Sequence, residues 1–216
     1  MRSAGRRTLA MVFTALALGA SSVAFATPDE DYQRGLTAYH RGDVSTAIGA
    51  LRPAAAAGHA PSQALLAFVY ERAGEVDRAV PLYRDAAAQG LPDAQVRWAE
   101  MLLAGQGVAK DEKAAFEQFS KAAAQGHRHA VEVVATAWLK GQWGADERAE
   151  PAAARAAVQR AADGGHLPSA EALAAAYRSG RFGVDLDPAQ ASRWDTQVSA
   201  WRRQRAPAAS APTRTR

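Results

Sequence analysis

The sequence predicts an all-α protein, a right-handed solenoid of about five stacked helix hairpins. One phrase recurs as AAAAGHAPS, AAAQGLPDA, AAAQGHRHA and AADGGHLPS, with its glycine at Gly58, Gly90, Gly126 and Gly165. The spacings of 32, 36 and 39 residues are typical of helix hairpins joined by turns of unequal length. Apolar residues recur every three or four positions, and nothing in residues 27–203 alternates like a strand.

The first 26 residues predict a cleaved secretory signal. Arg2, Arg6 and Arg7 precede an apolar run over residues 9–18, and Ala24-Phe25-Ala26 has the small-x-small pattern of a cleavage site. The run is too short for a confident membrane span, which needs about 20 apolar residues, although an uncleaved anchor is the alternative. We therefore expect a periplasmic or secreted protein with no membrane span after cleavage.

The chain has no cysteine. This excludes a lipid-modified amino-terminal cysteine and disulfide bonds, so the stability of the fold must come from packing. Together with the bacterial character of the signal, it points to the periplasm or the exterior of a bacterial cell.

The net charge of +4 depends strongly on the two ends of the chain. Three of the 26 basic residues lie in the signal and five lie after residue 201, whereas all 22 acidic residues lie before residue 201. The body is therefore mildly acidic and gives no support for nucleic-acid binding. Residues 204–216 are rich in Ala, Pro, Thr and Arg and predict a disordered basic tail, which leaves 27–203 as the repeat domain.

Each repeat predicts two helices around a short turn. In the first repeat, Leu36 and Tyr39 mark the first helix, Gly42-Asp43 the turn, and Ile48 and Leu51 the second helix. The later repeats carry large apolar residues at matching places: Leu82 and Tyr83; Trp98, Leu102 and Phe119; Val134 and Trp138; Leu173, Tyr177 and Trp194. The many alanines favour helix and let neighbouring helices approach closely.

The third repeat resembles the Sel1-like repeat, a relative of the tetratricopeptide repeat. Its matching residues are Ala94, Gly105, Gly107, Val108, Asp111, Ala115, Phe119, Ala122, Ala123 and Gly126. The fifth repeat is close to the pattern but has Phe182 as an extra residue in its turn, and the fourth lacks the Val-x-x-Asp element. The first two repeats have the shorter turn of an ordinary tetratricopeptide hairpin. The resemblance covers about residues 29–200.

The sequence does not predict an enzyme. It contains no phosphate-binding loop and no H-E-x-x-H, and it has no cysteine nucleophile. Acidic pairs such as Asp111-Glu112 and Asp146-Glu147 fall in turns and at helix starts, where capping explains them. We therefore predict no catalytic residue and no cofactor. Some Sel1-like proteins have been linked to β-lactam binding, but those are cysteine-rich, and this chain departs from that pattern.

The histidines follow the repeat and do not predict a metal site. His59, His127 and His166 each come directly after the recurring glycine, so the hairpin itself explains them. Copies one repeat apart do not converge on one ion in a simple stack. His129 is the one histidine of the phrase that recurrence does not explain.

The resemblance implies a non-catalytic scaffold or adaptor that binds a protein partner of the bacterial cell envelope on a concave surface lined by the first helix of each hairpin. Two alternatives are an envelope enzyme or enzyme regulator acting on peptidoglycan or a β-lactam, and a secreted effector that binds a host protein. The sequence does not indicate an oligomeric state. Candidate partner-binding residues on the first helices and in the turns are Gln63, Arg97, Glu100, Glu132, Arg178, Trp143 and Phe182. The last two are aromatic residues in turn insertions, and each is expected either to contact a partner or to fold back as a plug.

Overall fold

The computed structural model describes residues 26–205, and within that range the chain forms ten α-helices, one short 3-10 helix and no strand. The predicted signal, apart from Ala26, and residues 206–216 of the predicted tail lie outside the described residues. The helices are α1 (Pro28–His40), α2 (Val44–Ala56), α3 (Ala60–Arg72), α4 (Val76–Ala88), α5 (Pro92–Ala104), α6 (Glu112–Ala124), α7 (Arg128–Lys140), α8 (Pro151–Asp163), α9 (Leu167–Ser179) and α10 (Pro188–Arg205), with the 3-10 helix at Arg181–Gly183.

Consecutive helices pair into five hairpins, α1 with α2 through to α9 with α10, and the second helix of each hairpin packs against the first helix of the next. This confirms the predicted all-α solenoid. The first nine helices have 13 residues each, whereas α10 has 18. It runs to Arg205, four residues beyond the end near Trp201 that the apolar pattern predicts, because its last turn is polar and gives no periodic signal.

Side-chain caps begin several of the helices. Thr27 and Glu30 form a reciprocal capping box at α1. Asp43 accepts from the Thr46 amide at 3.0 Å, and hydrogen bonding from the side chain and the amide of Thr46 lowers the pKa of Asp43. Asp111 accepts from the Ala114 amide at 2.9 Å in the same way. Each carboxylate satisfies an amide that the helix leaves free and opposes the positive end of the helix dipole.

The second helices of the hairpins contribute two kinds of residue to the core: a small one in all five hairpins and a large one in the first four. The small residue is a buried alanine in all five hairpins: Ala47, Ala79, Ala115, Ala154 and Ala191. The large residue, four positions later, is Leu51, Tyr83, Phe119 and Val158 in the first four hairpins, each no more than 2% exposed. Alanines bring the helices together, and the larger side chains fill the space between layers.

The last hairpin has no large residue at the position that those four residues occupy. Four residues beyond Ala191 stands Asp195, which is exposed and forms an ion pair with Arg178. No further hairpin packs on this side within the described residues, so a carboxylate replaces the buried side chain. The fifth hairpin therefore exposes a polar side chain at the position where the first four hairpins bury a large one.

The recurring glycine ends the second helix in a left-handed conformation. Gly58, Gly90, Gly126 and Gly165 have φ of +86°, +91°, +84° and +87°. A Cβ added at Gly126 would meet no atom within 4 Å. The requirement for glycine there is therefore a property of the backbone, as the repeat register predicts.

Replacing Gly126 with alanine should lower the free energy of unfolding by about 1–2 kcal/mol, the cost of placing an L side chain in the left-handed region. Thermal unfolding followed by circular dichroism measures the effect. The matched control is Gly49→Ala, because Gly49 lies within α2 and a Cβ there also meets nothing within 4 Å. That change should raise stability by about 0.5–1 kcal/mol. A Gly126→Ala variant as stable as the parent would contradict the assigned turn.

Candidate protein-binding surface

A groove of about 580 Å³ crosses the first helices of the first three hairpins. Tyr32 of α1 and Leu65 and Phe68 of α3 give it an apolar lining, and Arg97 of α5 lies at its polar side. All four side chains are half-buried. We call this the first-helix groove. It offers the combination typical of protein-binding sites, an apolar centre beside a polar rim.

A chain of polar contacts runs along the rim across α4, α3, α5 and α7. The Tyr83 hydroxyl donates to Glu71 at 2.9 Å, and Arg97 donates to Glu100 at 2.8 Å while lying 3.7 Å from Glu71. His129 Nε2 lies 3.8 Å from Glu100. Burial, and then the bond to Glu71, raise the pKa of the Tyr83 hydroxyl, and the hydrogen bond to Glu100 raises the pKa of Arg97. These contacts tie the second, third and fourth hairpins together.

Two of the recurring histidines also join neighbouring hairpins. His127 Nδ1 accepts from the Ala130 amide at 3.3 Å, which leaves the hydrogen on Nε2 to be donated to Asp93 at 3.1 Å. His59 makes the matching contact to Asp29 at 3.2 Å. The side chain of His127 therefore caps α7, whereas His59 stands at the N-cap position of α3 with its ring bonded to the Ser62 hydroxyl. Both histidines reach back to the preceding first helix. In residues 26–205, no three His, Asp or Glu side chains are grouped as they would be around a metal ion.

Gln63 is not on the accessible surface, which corrects its predicted placement. It is 7% exposed, donates to the Ala55 carbonyl at 3.2 Å and accepts from Gln89 at 2.7 Å. Gln95 and Gln125 repeat this arrangement one hairpin later, with Gln95 donating to the Ala87 carbonyl. A polar residue at this position satisfies a helix-end carbonyl inside the stack, so its amide is unavailable to a partner.

The arrangement changes between the third and fourth hairpins, where Val131 on α7 occupies the position equivalent to Gln95. The matching helix-end carbonyl belongs to Ala123, and Arg160 donates to it at 3.3 Å. The chain thus supplies a donor from α8 where the first helix of the hairpin has none. The carbonyl is the constant element, and the side chain that satisfies it varies.

Phe182 acts as a plug, which decides between the two roles predicted for it. It is 4% exposed and belongs to the buried core. Trp143 is half-buried, and its ring stacks on Phe119 with centroids 6.3 Å apart. Each aromatic residue folds back onto the preceding hairpin, so the exposed contact proposed for Phe182 is wrong and that for Trp143 is reduced to a partly covered ring.

The backbone explains why aromatic residues stand in these turns. Trp143 and Phe182 have φ of +57° and +58°, and in the turn of the third hairpin the corresponding third residue is Gly107, with φ +66°. A Cβ on Gly107 would come within 2.9 Å of Val76 and Val80. Where α4 leaves no space the turn has glycine, and where space remains an aromatic side chain fills it despite the unfavourable φ.

The remaining predicted residues are divided between the groove and other surfaces. Arg97 lines the first-helix groove, and Glu100 extends its rim. Glu132 is half-buried on α7 and accepts from Arg128 at 3.3 Å. Arg178 is exposed at the far end of the solenoid, where it pairs with Asp195. The structure therefore brings together Arg97 and Glu100, leaves Glu132 one hairpin away, and separates Arg178 from them.

The apolar lining of the groove is what the sequence interpretation missed. Tyr32, Leu65 and Phe68 fit ordinary helical apolar spacing and are not among the residues predicted to bind a partner. A signal was present in ALLAFVY over residues 64–70, because seven consecutive apolar residues surround the helix and exceed what one buried face can hold. Leu66, Val69 and Tyr70 are buried, whereas Leu65 and Phe68 remain half-exposed at the groove.

The fold places the chain in the class of α-solenoid repeat proteins built from helix hairpins. Neither the protein-family models nor the curated protein sequences contain a match to it. It is similar to a Sel1 repeat protein from Oxalobacter formigenes, with a TM-score of 0.59 at 23% identity over 81% of this chain and 71% of that one. It is also similar to c5321, a protective antigen of uropathogenic Escherichia coli with the SLR fold, with a TM-score of 0.62 at 27% identity.

The second likeness covers 81% of this chain but only 38% of c5321. Both solved structures have the Sel1-like repeat architecture, and the pattern of glycines, alanines and caps described above is that of the repeat. The chain has the fold of the Sel1-like repeat, as the resemblance in its sequence predicts. Proteins of this fold are in general interaction scaffolds.

Acidification should destabilise the fold through His166. Burial, more than the neighbouring Arg205, lowers the pKa of His166 below its ordinary value of 6.5. Because the unfolded chain then binds the proton more readily, stability present above pH 6.5 is lost as the pH falls towards the folded pKa. Melting temperatures at about pH 7.5 and about pH 5.5 measure this loss, since histidine titrates in that window and carboxylates largely do not.

The matched control is His166→Asn, because asparagine is favourable at the N-cap position that His166 occupies and has no titrating ring. The variant should lose less stability than the parent between the two pH values, while the other histidines affect both proteins equally. An equal loss in parent and variant would contradict the role given to His166.

Proposed function

We propose that the chain is an adaptor of the bacterial cell envelope that holds a segment of a partner protein in the first-helix groove. The observation that carries this proposal is the apolar lining of Tyr32, Leu65 and Phe68, half-exposed beside the Arg97–Glu100 pair. Such residues would be expected to be buried if the stack needed them only for its own core.

The shape of the groove favours an extended or helical segment over a flat protein surface. It spans α1, α3 and α5, so an apolar side chain of the partner can enter beside Leu65 while its backbone follows the line of helices. The ion-paired rim is largely satisfied within the protein, and it therefore contributes selectivity more than affinity.

The envelope location is supported by the amino-terminal pattern of three arginines, an apolar run and Ala24-Phe25-Ala26. No helix of the described residues is long and apolar enough to cross a membrane. The absence of cysteine also suits a chain that must fold in an oxidising compartment without unwanted pairing.

Export can be tested without knowing the partner. The protein expressed in a bacterial host should be recovered from the periplasmic fraction, and intact-mass measurement should give a chain that begins at Thr27. A matched variant with Arg2, Arg6 and Arg7 changed to Glu should remain in the cytoplasm at full length, because the positive region of the signal is lost. Full-length protein in the cytoplasm for both chains would refute export while leaving the groove proposal standing.

Partner binding should depend on Leu65. Photo-crosslinking from the groove identifies the bound protein, and its affinity for purified Leu65→Ser should fall about tenfold or more, since a buried leucine contributes about 1.5–3 kcal/mol. Leu186→Ser is the matched control, because Leu186 is 68% exposed in the turn of the fifth hairpin. Circular dichroism checks that both variants fold. Unchanged binding by folded Leu65→Ser, or an equal loss in both variants, would exclude the groove.

A further inference from the structure

A second groove lies at the carboxyl-terminal end of the solenoid, between α8, α9 and α10. It has a volume of about 620 Å³, and Trp194, Trp201 and Tyr177 line it together with glutamine side chains. A neighbouring depression of about 500 Å³ shares Tyr177 and Gln190 with it. The two form one elongated groove, which we call the carboxyl-terminal groove. It is separate from the first-helix groove, which lies on α1, α3 and α5.

The two tryptophans present a regularly spaced aromatic surface. Trp194 and Trp201 are seven residues apart on α10, so they lie on one face of the helix about 10.5 Å apart along its axis. Both are half-buried, with one part packed against the core. Within residues 26–205 neither indole N–H donates a hydrogen bond to the protein. Each ring therefore offers an apolar surface and a free donor at the same place.

Amide side chains supply the polar groups of this groove. The side chains of Gln190 and Gln197 form no hydrogen bond with any other described residue, although both line the groove. Gln159 donates to Asp163 at 2.8 Å, which leaves its amide oxygen available as an acceptor. An amide both donates and accepts, as does a hydroxyl group, so the groove matches a ligand that carries many hydroxyls.

The charges in the groove oppose an acidic ligand. Arg193 and Arg155 are present, but Asp163, Asp185 and Asp187 lie along the same lining. This mixture favours neither a phosphate nor a uronic acid, because an anion would lie close to carboxylates in both parts of the groove as well as to the two arginines. A neutral ligand with alternating apolar and hydroxyl surfaces has no such penalty.

We infer that the carboxyl-terminal groove binds a neutral oligosaccharide. The faces of its pyranose rings would stack on Trp194 and Trp201, whose separation is comparable to the length of a disaccharide unit in a β-1,4-linked chain. The hydroxyl or acetamido groups would bond to Gln190 and Gln197. A proline-rich peptide also uses aromatic grooves, but it has few donors with which to use the free amides. This inference does not depend on the proposed adaptor role.

The test uses the mature chain with cellohexaose, chitohexaose and an oligomeric uronate as probes. The five tryptophans give five indole N–H signals in a nitrogen–proton NMR spectrum, which mutation assigns. A neutral hexasaccharide should shift the signals of Trp194 and Trp201 and leave Trp98 and Trp138 unchanged, and the uronate should bind more weakly. Gln197→Ala should weaken binding about two- to tenfold, the value of one net hydrogen bond.

The matched control is Gln106→Ala, because Gln106 is an exposed glutamine in the turn of the third hairpin, away from this groove. It should bind like the parent. Trp194→Ala should abolish binding. Because this change also removes core contacts, thermal melting checks that the variant folds. If Trp194→Ala does not fold, the binding measured for Gln197→Ala decides the test. Three results would overturn the inference: no neutral hexasaccharide binds at millimolar concentration, Gln197→Ala binds like Gln106→Ala, or only a proline-rich peptide shifts the two indoles.

Discussion

The structure depends on burial of a narrow alanine face between successive hairpins. Ala79 and Ala115 are fully buried, and so are Ala94 and Ala130 on the facing first helices. A methyl group is small enough for two helices to approach at the short end of their usual spacing, at which the larger Tyr83 and Phe119 can fill the remaining space. A single hairpin has no such partner face, and only the stack forms a continuous core.

Close packing makes the polar groups at the helix ends the next constraint. Each second helix ends beside the next hairpin, so its last carbonyls are shielded from water and require a donor from protein. Gln63 and Gln95 provide one at two joints, and Arg160 provides one at a third. The histidines at the helix starts have a related effect, because His59 and His127 each reach an aspartate of the preceding hairpin. Polar contacts thus fix the register of layers whose apolar faces are nearly alike.

The sequence predicts the fold well because the signals that start and end its helices lie within the repeats themselves. The apolar spacing of three to four residues and the capping aspartates Asp43 and Asp111 are local signals, and the left-handed glycine recurs four times, so the period is visible without knowledge of tertiary contacts. The candidate site was predicted less well. Gln63 and Arg97 are both polar residues of first helices, yet one is buried and the other lines the groove. Their difference depends on which carbonyl or carboxylate lies opposite in the adjacent hairpin, and no periodicity within one repeat contains that information.

The inner hairpins and the last hairpin of the solenoid differ in how many polar and aromatic side chains the packing uses. In the inner hairpins, packing of the stack uses the side chains that could otherwise carry function. Histidines stand at the starts of helices, glutamines donate to helix-end carbonyls, and aromatic residues of the turns fold back onto the preceding hairpin. At the last hairpin, fewer side chains are needed for packing between hairpins. Asp195 replaces the large core residue, and the side chains of Trp194, Gln197 and Trp201 on α10 line a groove shared with α8 and α9. Both rings are half-buried, with one part packed against the core. The part of each ring that stays open in the groove, beside the side chains of Gln190 and Gln197, is the surface to which we assign the oligosaccharide.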